Sequence, residues 1–173
     1  AQITDYVVDE LFYEMGEFLA SHPQLYVAIN LSASDFHSAR LISQISEKAH
    51  SYAVCIGQIK IEVTERGFID VAKTTPVIQA FREAGYEIAI DDFGTGYASY
   101  ARLKTMNVDI LKIDGSFIRN LLASSLDYQV VDSICRLARM KNMQVVAEYV
   151  ESPEIRQAVI ALGIDYLQGY DIG

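Results

Sequence analysis

Six stretches of this chain carry short apolar runs, and each runs out into a polar or charged residue. Leu25–Ile29 leads to Asn30, and Gln58–Val63 holds Glu62 near its end. Tyr86–Ile90 leads to Asp91 and Asp92. Val108–Ile113 is closed by Lys112 and Asp114, Gln144–Ala147 by Glu148, and Ile164–Leu167 by Gln168. Length and composition mark all six as β-strands. Helical patterns separate most of them. Val7, Val8, Leu11, Phe12, Met15, Phe18 and Leu19 form one apolar stripe across Asp5–Ala20. Further helices are expected over Ser38–Tyr52, from Thr75 as N-cap with Pro76 at the first position to Gly85, and over Tyr97–Thr105. The last two are an amphipathic Asp127–Asn142 and a helix from Ser152 and Pro153 to Gly163.

Regular alternation of strand and helix predicts a parallel α/β sheet, whose ligands bind at the carboxyl ends of the strands. The spacing decides between architectures. Asn30, Glu62 and Asp91 are about 30 residues apart, the size of a βα unit, and the next intervals are 21, 36 and 20 residues. Polar residues at every strand end suit a barrel, which brings all its strand ends to one mouth. An open doubly wound sheet gathers its site at one switch point. A full barrel has eight strands in about 250 residues, so a chain of 173 residues is expected to form an incomplete TIM-like (β/α)8 barrel. About six βα units are expected, with the first strand or strands and the C-terminal end missing. The expected organisation is a single domain over 1–173.

Composition adds exclusions. The chain is 51% apolar and 21% charged, ordinary for a globular domain. No apolar run approaches the roughly 20 residues of a membrane span, and no basic, apolar leader opens the chain. A net charge of −9 argues against DNA, RNA or membrane-surface binding. A small anion remains compatible, because a divalent metal inverts the local field. Cys55 and Cys135 form no metal or redox motif and read as reduced core thiols in a cytoplasmic setting.

Asn30, Glu62, Asp91, Asp92 and Glu148 offer only oxygen ligands, which select hard ions such as Mg²⁺ or Mn²⁺. His22, His37 and His50 lie away from the strand ends, so a histidine-based zinc site is not expected. A single acid of this kind is more often a solvated loop charge; a set that tracks the strand ends is not. Asp91-Asp92-Phe93-Gly94-Thr95-Gly96-Tyr97 is the sharpest motif. Adjacent aspartates can contact two metals, and a metal pair suits phosphodiester hydrolysis. The kinase-like Asp92-Phe93-Gly94 lacks the other kinase motifs, and the Gly-Thr-Gly run lacks a P-loop's Gly-Lys-Ser/Thr. Lys112, inside a strand, needs an anion. It can contact a phosphate, hold or deprotonate a water, or pair with Asp114 or Glu148. Glu65, just past its strand, reads either as a solvated acid or as an acceptor for the glycine loop's N–H groups.

Together these segments resemble the EAL family of cyclic-di-GMP phosphodiesterases. The matching pieces are Asn30-Leu31-Ser32, Ile61-Glu62-Val63-Thr64-Glu65, the Asp91–Tyr97 motif, Val108–Phe117, Ala147-Glu148-Tyr149-Val150-Glu151 and Gln168-Gly169-Tyr170. The resemblance implies a (β/α)8-like barrel that uses two Mg²⁺ or Mn²⁺ ions to hydrolyse cyclic-di-GMP to linear pGpG. It implies Asn30, Glu62, Asp91, Asp92 and Glu148 as metal ligands, Lys112 on the water, Gln168 ordering the site and Glu65 holding the glycine loop. It also implies a homodimer, with cyclic-di-GMP as substrate or ligand. The domain would be cytoplasmic, compatible with a larger membrane-anchored sensor protein.

Two departures from the family pattern stand out. The Glu-Ala-Leu signature, whose Glu is a metal ligand, is absent, and truncation upstream of this chain accounts for that. Weak or no hydrolysis by the chain alone is therefore expected. Tyr149 stands where the pattern has Gly. Its ring can narrow the site, stack on a guanine together with contacts from Asn30, or mark a member that binds without turnover. Two alternatives remain: a non-catalytic cyclic-di-GMP sensor or protein-interaction adaptor, and another Mg²⁺-dependent barrel enzyme of the enolase type.

Overall fold

The computed structural model describes residues 2–32, 35, 39–65, 71–94 and 107–172. The chain divides into two compact units, Ala1–Ile88 and Ala89–Gly173. The boundary falls within the third strand.

The first unit runs α1 (Gln2–Ser21), β1 (Val27–Leu31), α2 (Ala39–Ser51), a 3₁₀ turn (Ile56–Gln58), β2 (Ile59–Thr64) and α3 (Val71–Glu83). β1 and β2 pair in parallel, with Ile29 opposite Ile61 and Asn30 opposite Glu62. Side chains alternate between strand faces. One face buries Ile29, Leu31, Ile59, Ile61 and Val63. The other carries Asn30, exposed, and Glu62, half-buried. On α1 the buried positions are Val8, Phe12, Gly16 and Leu19, spaced by about one turn. The stripe is narrower than expected, since Val7 and Phe18 are exposed.

Gln58 is the polar clamp of this unit. It is buried, and its Nε2 faces the carbonyls of Leu19, His22 and Leu25 at 2.9–3.1 Å. Its Oε1 accepts from the Cys55 N–H at 3.2 Å. The carbonyl of Leu19 belongs to the last turn of α1, where intrahelical donors run out. One amide thus satisfies the end of α1 and the turn into β1.

The second unit contains most of β3 (Glu87–Phe93), then β4 (Ile110–Ile113), α4 (Gly115–Arg119), α5 (Ser125–Met140), β5 (Gln144–Ala147), α6 (Pro153–Ala161) and β6 (Tyr166–Leu167). Its strands are parallel and lie in the order β3-β4-β5-β6. Each strand is beside its predecessor, without the order reversal of a doubly wound sheet. All four residues of β4 are buried, Lys112 among them. The buried positions of α5 are Val131, Ile134, Cys135 and Ala138, on one helical face.

Several sequence-based boundaries shift. β1 and β3 end later than expected, so Asn30, Asp91 and Asp92 lie inside strands rather than after them. α3 begins at Val71, so Pro76 is inside the helix and Thr75 is not its cap. Thr75 and Pro76 are exposed, and water can satisfy the carbonyl that proline's missing N–H leaves free. The expected helix over Tyr97–Thr105 lies outside the described residues. α6 matches expectation: Ser152 accepts from the Ile155 N–H and Pro153 opens the helix. α4 was not expected; its signal is Asp114, whose Oδ1 accepts the Ser116 N–H at 2.9 Å as an N-cap. Cys55 is exposed rather than core, because it sits in the turn ahead of the 3₁₀ segment. No described helix is long and apolar enough to cross a membrane.

Two outcomes follow from this packing. Gln58→Leu strips the Leu25 carbonyl of its side-chain donor and the Leu19 and His22 carbonyls of their second, and should lower the urea midpoint by an equivalent of about 2 kcal/mol. Burial pushes the Cys135 thiol up to about 11. It is therefore protonated at neutral pH. In a thiol-reagent assay one cysteine, Cys55, should react in the folded chain and both after denaturation; rapid labelling of two would contradict the packing.

Candidate active site

The second unit brings Asp91 and Asp92 of β3, Lys112 of β4 and Glu148, just after β5, together. Asp91 and Asp92 are consecutive, and in a regular strand their side chains would point to opposite faces. The register shows how both reach one place. Ile90 pairs with Leu111 and Phe93 with Ile113, so three steps on β3 match two on β4. This is a bulge with one extra residue. Asp92 adopts a left-handed φ of 55°, a conformation Asp tolerates better than most residues. Carboxylate oxygens of Asp91, Asp92 and Glu148 then lie within 4.8 Å of one another.

Lys112 lies on β4, between the strands that bear the acids. Its Nζ is 2.9 Å from Asp91 Oδ1 and 2.9 Å from Glu148 Oε1. The contact with Asp91 is an ion pair off the direction of a hydrogen bond, for Asp91 Oδ1 is buried and accepts none. Of the two expected partners of Lys112, Glu148 is found and Asp114 is not: Asp114 caps α4 instead. Glu148 follows β5 directly, and its N–H donates to the Ile113 carbonyl. Burial raises its carboxyl above the usual range, opposed by the Lys112 hydrogen bond and charge and reinforced by Asp91 and Asp92. Among the described residues, three carboxylates against one ammonium leave an excess of negative charge among hard oxygen donors, a set that fits a divalent cation such as Mg²⁺ or Mn²⁺.

Gly94 follows the bulge with φ 107°, and a Cβ there would lie 2.6 Å from the Phe117 ring. Glycine is therefore required at the start of the loop; the loop from Thr95 onward lies outside the described residues. Gln168 follows β6. Its N–H donates to the Ala147 carbonyl and its own carbonyl accepts from Val150, which fixes the backbone on both sides of Glu148. A cavity of about 490 Å³ opens here, lined by Asp92, Glu148, Gln168, Arg119, Tyr149 and Tyr170 among others. Arg119 and Tyr170 were not anticipated. The signal for Arg119 is its place four residues after Gly115, on the same side of a short helix.

In the first unit, Asn30 and Glu62 are register partners on the polar face of β1 and β2. Glu65, immediately after β2, is buried, so the reading as a solvated acid is ruled out. His22 is half-buried and stacks on Phe18, and His50 is exposed on α2; His37 lies outside the described residues.

The EAL domain family model matches residues 1–173. The chain belongs to the EAL domain family. Cyclic di-GMP phosphodiesterase PdeF of Escherichia coli (strain K12) is 52% identical over 174 aligned positions, covering 100% of this chain and 23% of the relative. Among solved structures, the PaMucR phosphodiesterase in complex with c-di-GMP gives a TM-score of 0.89 at 34% identity, over 99% of this chain and 70% of that one. A manganese/cy-diGMP complex of Klebsiella pneumoniae BlrP1 gives 0.86 at 27% identity, over 96% and 43%. These likenesses identify the fold of this EAL domain as the incomplete TIM-like α/β barrel expected from its strand count. The chain spans about a quarter of the length of PdeF.

Lys112→Met removes the cation that, among the described residues, touches both Asp91 and Glu148. In chelator the variant should lose about 3 kcal/mol of stability, and millimolar Mn²⁺ should raise its melting temperature more than that of the unsubstituted chain. Equal stability in chelator would show that the ion pairs do not hold the strand ends together.

Proposed function

We propose that this EAL domain serves hydrolysis of cyclic-di-GMP to linear pGpG, with the carboxylate cluster as its reaction centre. The observation that carries this reading is the Asp91–Asp92–Glu148 cluster around Lys112, in a chain 52% identical to a named cyclic-di-GMP phosphodiesterase. Asp91, Asp92 and Glu148 would hold two Mg²⁺ or Mn²⁺ ions, and on the family resemblance Asn30 and Glu62 would add oxygen ligands. When bound, such ions polarise the phosphodiester and make water a nucleophile near neutral pH.

The chain's own residues do the rest. A water oxygen bonds to phosphorus as the bond from phosphorus to the 3′ oxygen breaks; the 3′ oxygen leaves protonated, and the phosphate stays on the 5′ side. Lys112 presents N–H donors to the attacking water and to the phosphoryl oxygens. Its carboxylate partners, Asp91 and Glu148, are the residues that would hold the cations. Gln168 orders the backbone beside Glu148, and Glu65 holds the glycine loop. The chain is further proposed to form one EAL-type domain over 1–173, to pair as a homodimer, and to make no contact with nucleic acid or membrane.

A second reading, binding without turnover, draws on Tyr149, whose φ of 57° strains a bulky residue next to Glu148. The test is turnover in Mn²⁺ by this chain and by a longer chain carrying a Glu-Ala-Leu strand upstream. Release of pGpG by the longer chain, cut at least 100-fold by Asp92→Asn, supports the phosphodiesterase. Bound but intact nucleotide with both chains overturns it in favour of the sensor.

A further inference from the structure

Tyr149 is the residue least explained by the chemistry above. It sits one position after Glu148 with φ 57°, a conformation that costs a bulky side chain on the order of 1–3 kcal/mol. Glycine would adopt it freely. The residue is nonetheless 46% exposed, so core packing does not offset the strain.

Local geometry shows a built seat for that ring. A Cβ on Gly115 would lie 2.1 Å from Tyr149 Cδ2, so only glycine at 115 lets the ring lie where it does. One turn further along α4, the Arg119 guanidinium carbon stands over the same ring, 4.2 Å from its centroid. That is a cation–π distance. Gly115 and Arg119 are four residues apart and share a helix face, so the ring lies along α4 with the arginine against it. Tyr149 and Arg119 both line the cavity that Asp92 and Glu148 also line. The cavity's volume falls in the range of small-molecule sites.

We infer that Tyr149, seated on Gly115 and stacked with Arg119, is a base-stacking shelf that binds one purine of the substrate beside the carboxylate cluster. This rests on the cyclic-di-GMP reading and deepens it. Aromatic rings and guanidinium planes are the side-chain surfaces on which unstacked bases settle. Such stacking accepts any base, because every base has a π-face. The shelf therefore sets affinity, while the carboxylates address the phosphodiester. It also gives the strained backbone a purpose: φ near 57° turns the residue after Glu148 into the cavity without moving Glu148 from Lys112.

The test exploits the absence of tryptophan from this chain. Tyr149→Trp installs a single indole, whose emission a stacked guanine quenches. Titration of that variant with cyclic-di-GMP in Ca²⁺ should give saturable quenching. Equilibrium dialysis with labelled cyclic-di-GMP should show Tyr149→Leu weakened about tenfold or more and Tyr149→Phe within about threefold of the unsubstituted chain. Leu and Phe keep a Cβ and the same backbone strain, so their difference reads the ring alone. Undiminished binding by Tyr149→Leu, with no quenching in Tyr149→Trp, overturns the shelf and leaves the cyclic-di-GMP reading standing. No binding by the unsubstituted chain or by the longer chain carrying a Glu-Ala-Leu strand overturns both.

Discussion

The ion pairs of Lys112 are the constraint on which the candidate site depends. A buried ammonium on the middle strand reaches carboxylates on both neighbours, 2.9 Å on either side. Without a counter-charge, three carboxylates within 4.8 Å of one another would repel, and the strand ends that carry them would separate. A buried ion pair is weak evidence for net stability, because desolvation offsets much of its attraction. Its value here is positional. It fixes the ends of β3, β4 and β5 in one arrangement and keeps the cluster compact at a net charge that still attracts a divalent cation.

The bulge at Asp91 and Asp92 solves a second problem. Adjacent strand residues face opposite ways, and a site that needs both carboxylates must break that rule. One extra residue on β3, together with a left-handed Asp92, does so within the strand. The ladder recovers at Phe93, which pairs again with Ile113, so the distortion stays local. Gly94 then turns away under the Phe117 ring, where no side chain could fit.

Much of this was legible in the chain and some of it was not. The polar residue at each strand end is visible because burial imposes apolar runs on strands and the runs stop where the site begins. The carboxylates and Lys112 were therefore found by position alone. The bulge was not visible: Asp91-Asp92 reads as the residues after a strand, since register is a property of the pair and not of one sequence. The start of α3 was missed because Pro76 imitates a first-turn proline, although an exposed proline is also tolerated further in. Cys55 was misplaced because a lone cysteine carries no periodic signal. Arg119 was missed because α4 has only five residues, too short for hydrophobic periodicity to reveal.

Strain is distributed in the same way as function. Four described non-glycine residues have left-handed φ: Ala53, Asp92, Asn142 and Tyr149. Ala53 and Asn142 lie two residues past the ends of α2 and α5, where a left-handed residue closes a helix by satisfying its last carbonyls. Their N–H groups donate to His50 and Arg139, residues of the helices they follow. Asp92 and Tyr149 have no helix to close. One lies just before the end of β3 and the other two residues past the end of β5, and both line the same cavity. Backbone strain that no cap explains, repeated on β3 and after β5 around a single acidic cluster, marks where the fold's regularity gives way to the placement of side chains. A chain selected for stability alone would carry glycine at 149; this one carries a ring, and glycine at 115 to receive it.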